Sequence, residues 1–118
     1  WTATAASFHY KGMTSSEVLL SSNGYALDLS AATGNAGFTL INTGAATTFV
    51  GSAFNDSLSG GQGNDTMTGG AANDTFTWFA GDAGTTTGAV DIVKSFTSPS
   101  DKLDISKLLT NGYNSGNG

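Results

Sequence analysis

Across residues 51–77 single apolar residues recur at every ninth position, as Leu58, Met67 and Phe76, with Phe54 the one large apolar residue off the step. Each lies between two small hydroxyl residues: Ser57/Ser59, Thr66/Thr68 and Thr75/Thr77. One apolar residue between two polar ones is the minimal alternating strand, with one side chain inward and two outward. The six residues between strands are mostly Gly, Asn, Asp, Ala and Ser, types that suit tight turns and, for Gly and Asn, positive φ. Three units result: GSAFNDSLS (51–59), GGQGNDTMT (60–68) and GGAANDTFT (69–77). Upstream, NTGAATTFV (42–50) and TGNAGFTLI (33–41) keep Phe49 and Leu40 in the apolar slot, and ALDLS (26–30) alternates out of step. Further strands are expected at Ser7–Tyr10, Glu17–Leu20, Val90–Phe96 and Lys102–Ile105, with Ser106 capping a helical turn at Lys107–Leu109.

A three-residue strand buries nothing alone, so the units must stack, each covering the next. The pattern predicts an all-β fold, a parallel β-roll or solenoid of short rungs with Gly-Asn-Asp turns, closed by C-terminal strands. Five stretches follow: a weakly patterned β region at 1–25, degenerate rungs at 26–50, the regular repeats at 51–77, capping strands at 78–109 and a flexible tail at 110–118.

Composition narrows the function. The 118 residues carry nine Asp+Glu against four Lys+Arg, a net charge of -5. That balance offers no basic stripe for nucleic acid or an anionic membrane surface. No apolar run approaches the ~18–20 residues that span a bilayer, so no membrane insertion is expected. With no cysteine, rigidity must come from elsewhere, and a metal is one source. The chain opens on Trp1, and it is read as a segment of something longer.

The repeat supplies that metal chemistry. Asn-Asp fills the fifth and sixth positions of all three units: Asn55-Asp56, Asn64-Asp65 and Asn73-Asp74. Calcium takes six to eight hard oxygen ligands in a flexible shell. A turn with one carboxylate and exposed carbonyls supplies about half of it. If strands alternate between two sheets, units 18 residues apart stack, so Asp56 and Asp74 flank one ion. Asp65 then falls on the other side, stacked on uncharged Thr47 upstream, with Asp82 as a displaced downstream ligand. Stacked carboxylates repel without a cation, so the roll is expected to be loose without metal. Magnesium fits less well, and zinc is disfavoured with no Cys and only His9.

The run GGQGNDTMT resembles the GGxGxDxUx nonapeptide of the RTX (repeats-in-toxin) family. GGAANDTFT departs at Ala72, and GSAFNDSLS at Ser52 and Phe54. The resemblance implies Ca2+ held by Asp56, Asp65 and Asp74, with backbone carbonyls from Gly61, Gly63, Gly70 and Ala72. Downstream, Asp91-Ile92 and Asp101-Lys102-Leu103-Asp104-Ile105 resemble the strands that close such rolls in proteins exported by type I secretion, which makes Asp82, Asp91 and Asp104 further candidate ligands. The family implies an extracellular or cell-surface destination, with folding on calcium outside the cell, in an adhesin, an S-layer protein or an exported enzyme. The family's C-terminal secretion signal usually lies further on; nothing after Leu109 matches it, and it is expected to be missing from this segment.

Other functions draw less support. The hydroxyl pairs suggest ice binding, but β-propensity explains them. One histidine and no G-x-S-x-G elbow argue against a hydrolase site, and no catalytic residue is assigned. Two alternatives stay open: a subunit of a calcium-stabilised filament or surface assembly, and the non-catalytic C-terminal part of a secreted hydrolase. Trp78 and Phe79 are expected to cap the roll or pack its last strands.

Overall fold

The computed structural model describes residues 7–9, 18–33, 35–82 and 90–108. These residues form ten short strands and no α-helix: β1 (Ser7–His9), β2 (Val18–Ser22), β3 (Ala26–Asp28), β4 (Phe38–Asn42), β5 (Thr48–Val50), β6 (Ser57–Ser59), β7 (Thr66–Thr68), β8 (Thr75–Thr77), β9 (Ile92–Lys94) and β10 (Lys102–Asp104). Successive strands alternate between two sheets, ordered β1-β3-β5-β7-β9 and β2-β4-β6-β8-β10. Every pairing is parallel. The expected parallel β-roll is therefore the fold.

The apolar slots align across each sheet. Leu27 registers with Phe49, Phe49 with Met67 and Met67 with Val93. In the other sheet Leu20 registers with Leu40, Leu40 with Leu58, Leu58 with Phe76 and Phe76 with Leu103. The two rows meet in a single core in which Leu29, Leu40, Phe49, Leu58, Met67 and Phe76 are all 0 % exposed. Full burial of such a side chain contributes about 1.5–3 kcal/mol, which a rung gains only by stacking. The flanking hydroxyls are partly covered too: Ser59 and Thr77 are buried, and the other four are half-buried.

The ends differ in detail from the sequence pattern. β2 and β4 align over five residues, so regular rungs begin before residue 26. The C-terminal strands are shorter than Val90–Phe96 and Lys102–Ile105. They also do not pair with each other: β9 extends one sheet on β7 and β10 the other on β8. The roll thus ends as two more rungs, because each strand finds its open edge in the sheet its turn leads to. Residues 106–108 form a turn, with Ser106 N–H and Oγ–H donating to Oδ1 of Asp104. Leu109 and the tail 110–118 lie outside the described residues, as do Trp1–Ala6 and Tyr10–Glu17. Trp78 packs half-buried against the core, and Phe79 is exposed.

Candidate metal centre

The alternation gives the roll two rows of turns. Asp56, Asp74 and Asp101 each stand one residue before a strand of the β2–β10 sheet, and Asp65 and Asp91 one residue before a strand of the other. Each row is a ladder of carboxylates. Oδ1 of Asp56 accepts the N–H of Phe38 at 2.7 Å. Oδ1 of Asp74 accepts that of Asp56 at 2.9 Å, and Oδ1 of Asp101 that of Asp74 at 2.9 Å. In the second row Oδ1 of Asp65 accepts from Thr47 at 2.7 Å, and Oδ1 of Asp91 from Asp65 at 3.0 Å. Asp56 and Asp74 therefore stack one coil apart, as the 18-residue step requires. The 18-residue step from Asp65 reaches Ala83, outside the described residues; Asp91, 26 residues on, fills the ladder position.

The second oxygen of each carboxylate separates the rungs. Oδ2 of Asp56 accepts the Ser52 N–H at 2.5 Å and the Ser52 hydroxyl at 3.0 Å. Oδ2 of Asp101 accepts the Thr97 N–H at 2.7 Å, and Oδ2 of Asp91 the Trp78 indole N–H at 2.6 Å. Ser52 and Thr97 each lie four residues before the acid they serve. The residues four before Asp65 and Asp74 are Gly61 and Gly70, with φ +77 and +115. Among the described residues, Oδ2 of Asp65 and Oδ2 of Asp74 are the buried side-chain atoms without a hydrogen-bond partner. Both aspartates are 1 % exposed.

A buried, half-satisfied carboxylate is costly in its charged form. Burial raises Asp65 and Asp74 to about 6, with the charges of Asp91 and Asp82 adding at Asp65 and those of Asp56 and Asp101 at Asp74. Asp56 is raised as well, by burial, against opposing hydrogen bonds from Phe38 and Ser52. Among the described residues no three carboxylate or imidazole groups converge on one point. A cation here would draw its remaining ligands from carbonyls, as calcium accepts and zinc does not.

The turns also press their glycines against carbonyls of the neighbouring coil. A Cβ on Gly51 would lie 2.1 Å from the Gly69 carbonyl oxygen and 2.6 Å from Oδ2 of Asp56. One on Gly70 would lie 2.1 Å from the Ser52 carbonyl oxygen, and one on Gly61 2.6 Å from that of Asn42. Gly63 has φ +118, and Ala72 takes the same left-handed region at the equivalent position, with φ 73. The departure of Ala72 from glycine thus leaves the turn geometry in place at a strain cost of about 1 kcal/mol.

The remaining candidates fall outside the ladders or at their end. Asp82 accepts the Phe79 N–H at 2.7 Å and shares with Asp91, Trp78 and Gly63 the lining of a cavity of about 310 Å³. Asp104 is held by Ser106, whose donors lower its pKa. Three residues of the site escaped sequence reasoning in these roles: Ser52, Trp78 and Asp101. For Asp56 and Asp101 the residue four before is the signal, since a donor there closes the carboxylate, whereas a left-handed glycine leaves Asp65 and Asp74 open; the Trp78–Asp91 contact follows no such spacing.

One family model matches the chain: the RTX calcium-binding nonapeptide repeat, in four copies, over residues 41–76. No curated protein and no solved structure matches. The matched stretch covers two full coils, from β4 to β8, and contains both orphaned carboxylates. It is a run of RTX calcium-binding nonapeptide repeats, wound as a parallel β-roll.

Proposed function

We propose that the chain is a non-catalytic, calcium-dependent folding module of a secreted or surface protein. The observation that carries this reading is the pair of buried, unpartnered oxygens, Oδ2 of Asp65 and Oδ2 of Asp74. Bound calcium supplies two positive charges and accepts hard oxygen donors. The chain's part is to present them: Asp65 and Asp74 give the carboxylates, and the turns at Gly61, Gly63, Gly70 and Ala72 give carbonyls. Asp82 and Asp91 add negative charge on the Asp65 side, and Asp104 stands apart, tied to Ser106. The stacked carboxylates discourage folding at low calcium and favour it where calcium is plentiful, which suits a destination outside the cell. Calorimetric titration of the metal-free chain with calcium tests this, with far-ultraviolet circular dichroism as a second readout. Saturable binding with a gain of β signal is the expected result. Equal β signal in excess chelator refutes the reading.

A second reading, assembly into a filament or surface layer, is favoured by the C-terminal end of the roll. Among the described residues, β9 and β10 leave both sheet edges open at this end, and Val90, Ile92, Leu103 and Ile105 are 60, 49, 55 and 47 % exposed. Open strand edges with apolar side chains invite further strands. Light scattering coupled to size exclusion, with and without calcium, tests it; a monomer in both refutes it.

A further inference from the structure

The structure assigns calcium dependence to only part of this roll: within residues 18–59 the buried polar side chains of the turns find their partners inside the segment, and Ser52 marks its boundary. This rests on the calcium reading above and divides it.

Three independent observations meet at that boundary. The first is polar satisfaction. In the upstream turns, side chains complete what the carboxylates leave open downstream. Oδ1 of Asn42 accepts the N–H groups of Gly24 and Gly44, and its amide donates to the Ala45 carbonyl. Thr47 and Ser22 hydroxyls both donate to the Tyr25 carbonyl, and the Thr43 hydroxyl donates to that of Ser22. At Asp56 the Ser52 hydroxyl and N–H stand where a cation would otherwise be needed. Unlike Gly61 and Gly70 at the same slot, Ser52 does not adopt positive φ, and its hydroxyl also receives the Phe54 N–H at 3.1 Å. Among the described residues, the orphaned atoms lie beyond it.

The second is the core. Of its ten buried hydrophobic residues among those described, Leu20, Leu27, Leu29, Ala32, Phe38, Leu40, Phe49 and Leu58 lie at or before residue 58; Met67 and Phe76 follow. The third is charge. Residues 18–59 carry Asp28 and Asp56 as their acids and no Lys, whereas 60–108 carry Asp65, Asp74, Asp82, Asp91, Asp101 and Asp104 with Lys94, Lys102 and Lys107, so the contrast lies in the stacked carboxylates rather than in net charge. Apolar burial is concentrated where stacked carboxylates are few, and the carboxylates where burial is thin.

Residues 18–59 then keep their rungs without metal and present the open edges of β5 and β6 as a template. Rungs from 60 onward add to it when calcium compensates Asp65 and Asp74.

Hydrogen exchange read peptide by peptide on the full chain, in calcium and in excess chelator, tests this. Expected is similar protection of 38–59 in both conditions apart from the amides of Thr47, Gly51 and Asp56, whose acceptors lie downstream, with exchange in 60–82 faster by about tenfold or more in chelator. Ser52→Gly should remove the hydroxyl donor and free the backbone that aims the N–H at Asp56, speed exchange of 51–59 in chelator and raise the calcium stoichiometry by calorimetry. Loss of protection throughout the chain in chelator overturns the division while leaving the calcium reading intact. Full protection everywhere in chelator overturns both. Unchanged exchange of 51–59 and unchanged stoichiometry in Ser52→Gly overturn the role of Ser52 alone.

Discussion

The indole N–H of Trp78 donates to Oδ2 of Asp91 at 2.6 Å, while Oδ1 of the same carboxylate accepts the N–H of Asp65. One aromatic side chain thereby holds the acid that aligns β9 on β7. Trp78→Phe keeps the apolar bulk and removes the donor. A hydrogen bond to a charged group contributes about 1.5–3 kcal/mol, less at a half-exposed site, so a loss of about 1–2 kcal/mol is expected. Chemical denaturation in saturating calcium measures it, with an unchanged midpoint as the contrary result.

Gly69 and Gly81 should respond differently to alanine. A Cβ on Gly69 would fall 2.2 Å from Oδ2 of Asp74, so the carboxylate must move. On Gly81, with φ +97, it would meet nothing within 4 Å. Gly81→Ala is expected to cost only backbone strain of about 1 kcal/mol. Gly69→Ala is expected to cost about 1–3 kcal/mol by overpacking, together with at least about tenfold in calcium affinity. Equal effects in thermal melts and titrations would contradict the clash.

Acid should stabilise the metal-free roll. The folded-state values of Asp65 and Asp74 are raised to about 6 from 3.8, chiefly by burial. Between these values the folded chain holds more protons than the unfolded one, so stability falls as pH rises from about 4 to about 6 and levels off above. Melting in chelator across this range checks the sign. In saturating calcium the trend should reverse, because protons compete with the ion.

Asp74→Asn separates the ladder from the charge. The amide oxygen still accepts the Asp56 N–H, so stacking survives. The melting temperature in chelator should hold or rise as a buried charge disappears. Calcium affinity should drop by about tenfold or more. A melt in chelator that falls sharply would mean the carboxylate is required for folding in its own right.

Much of this architecture is legible in the sequence between β4 and β8, where Leu40, Leu58 and Phe76, or Phe49 and Met67, repeat at the same step. Outside that stretch the coil length varies. Leu20 meets Leu40 after 20 residues and Leu27 meets Phe49 after 22, while Met67 meets Val93 after 26 and Phe76 meets Leu103 after 27. Turns of unequal length preserve the register of the strands but erase the period, so β2, β3, β9 and β10 read as isolated strands. The stacking of Asp56 on Asp74 follows from spacing alone. The closure of Asp56 does not, because it depends on the φ of Ser52 and the direction of its N–H, which a residue type constrains only loosely.

Alternation between two sheets gives the array a parity. Excising 60–68 would carry β8 across to the β5 sheet and set Asp74 above Thr47 in place of Asp56. Every later rung would cross over with it, and the long connections that follow would emerge on the opposite flank. Excising 51–68 would leave all of them where they are, with Asp74 above Phe38. Lengthening or shortening of such a chain is therefore tolerated in double steps, and the unit that duplication can copy without rebuilding the molecule is the pair.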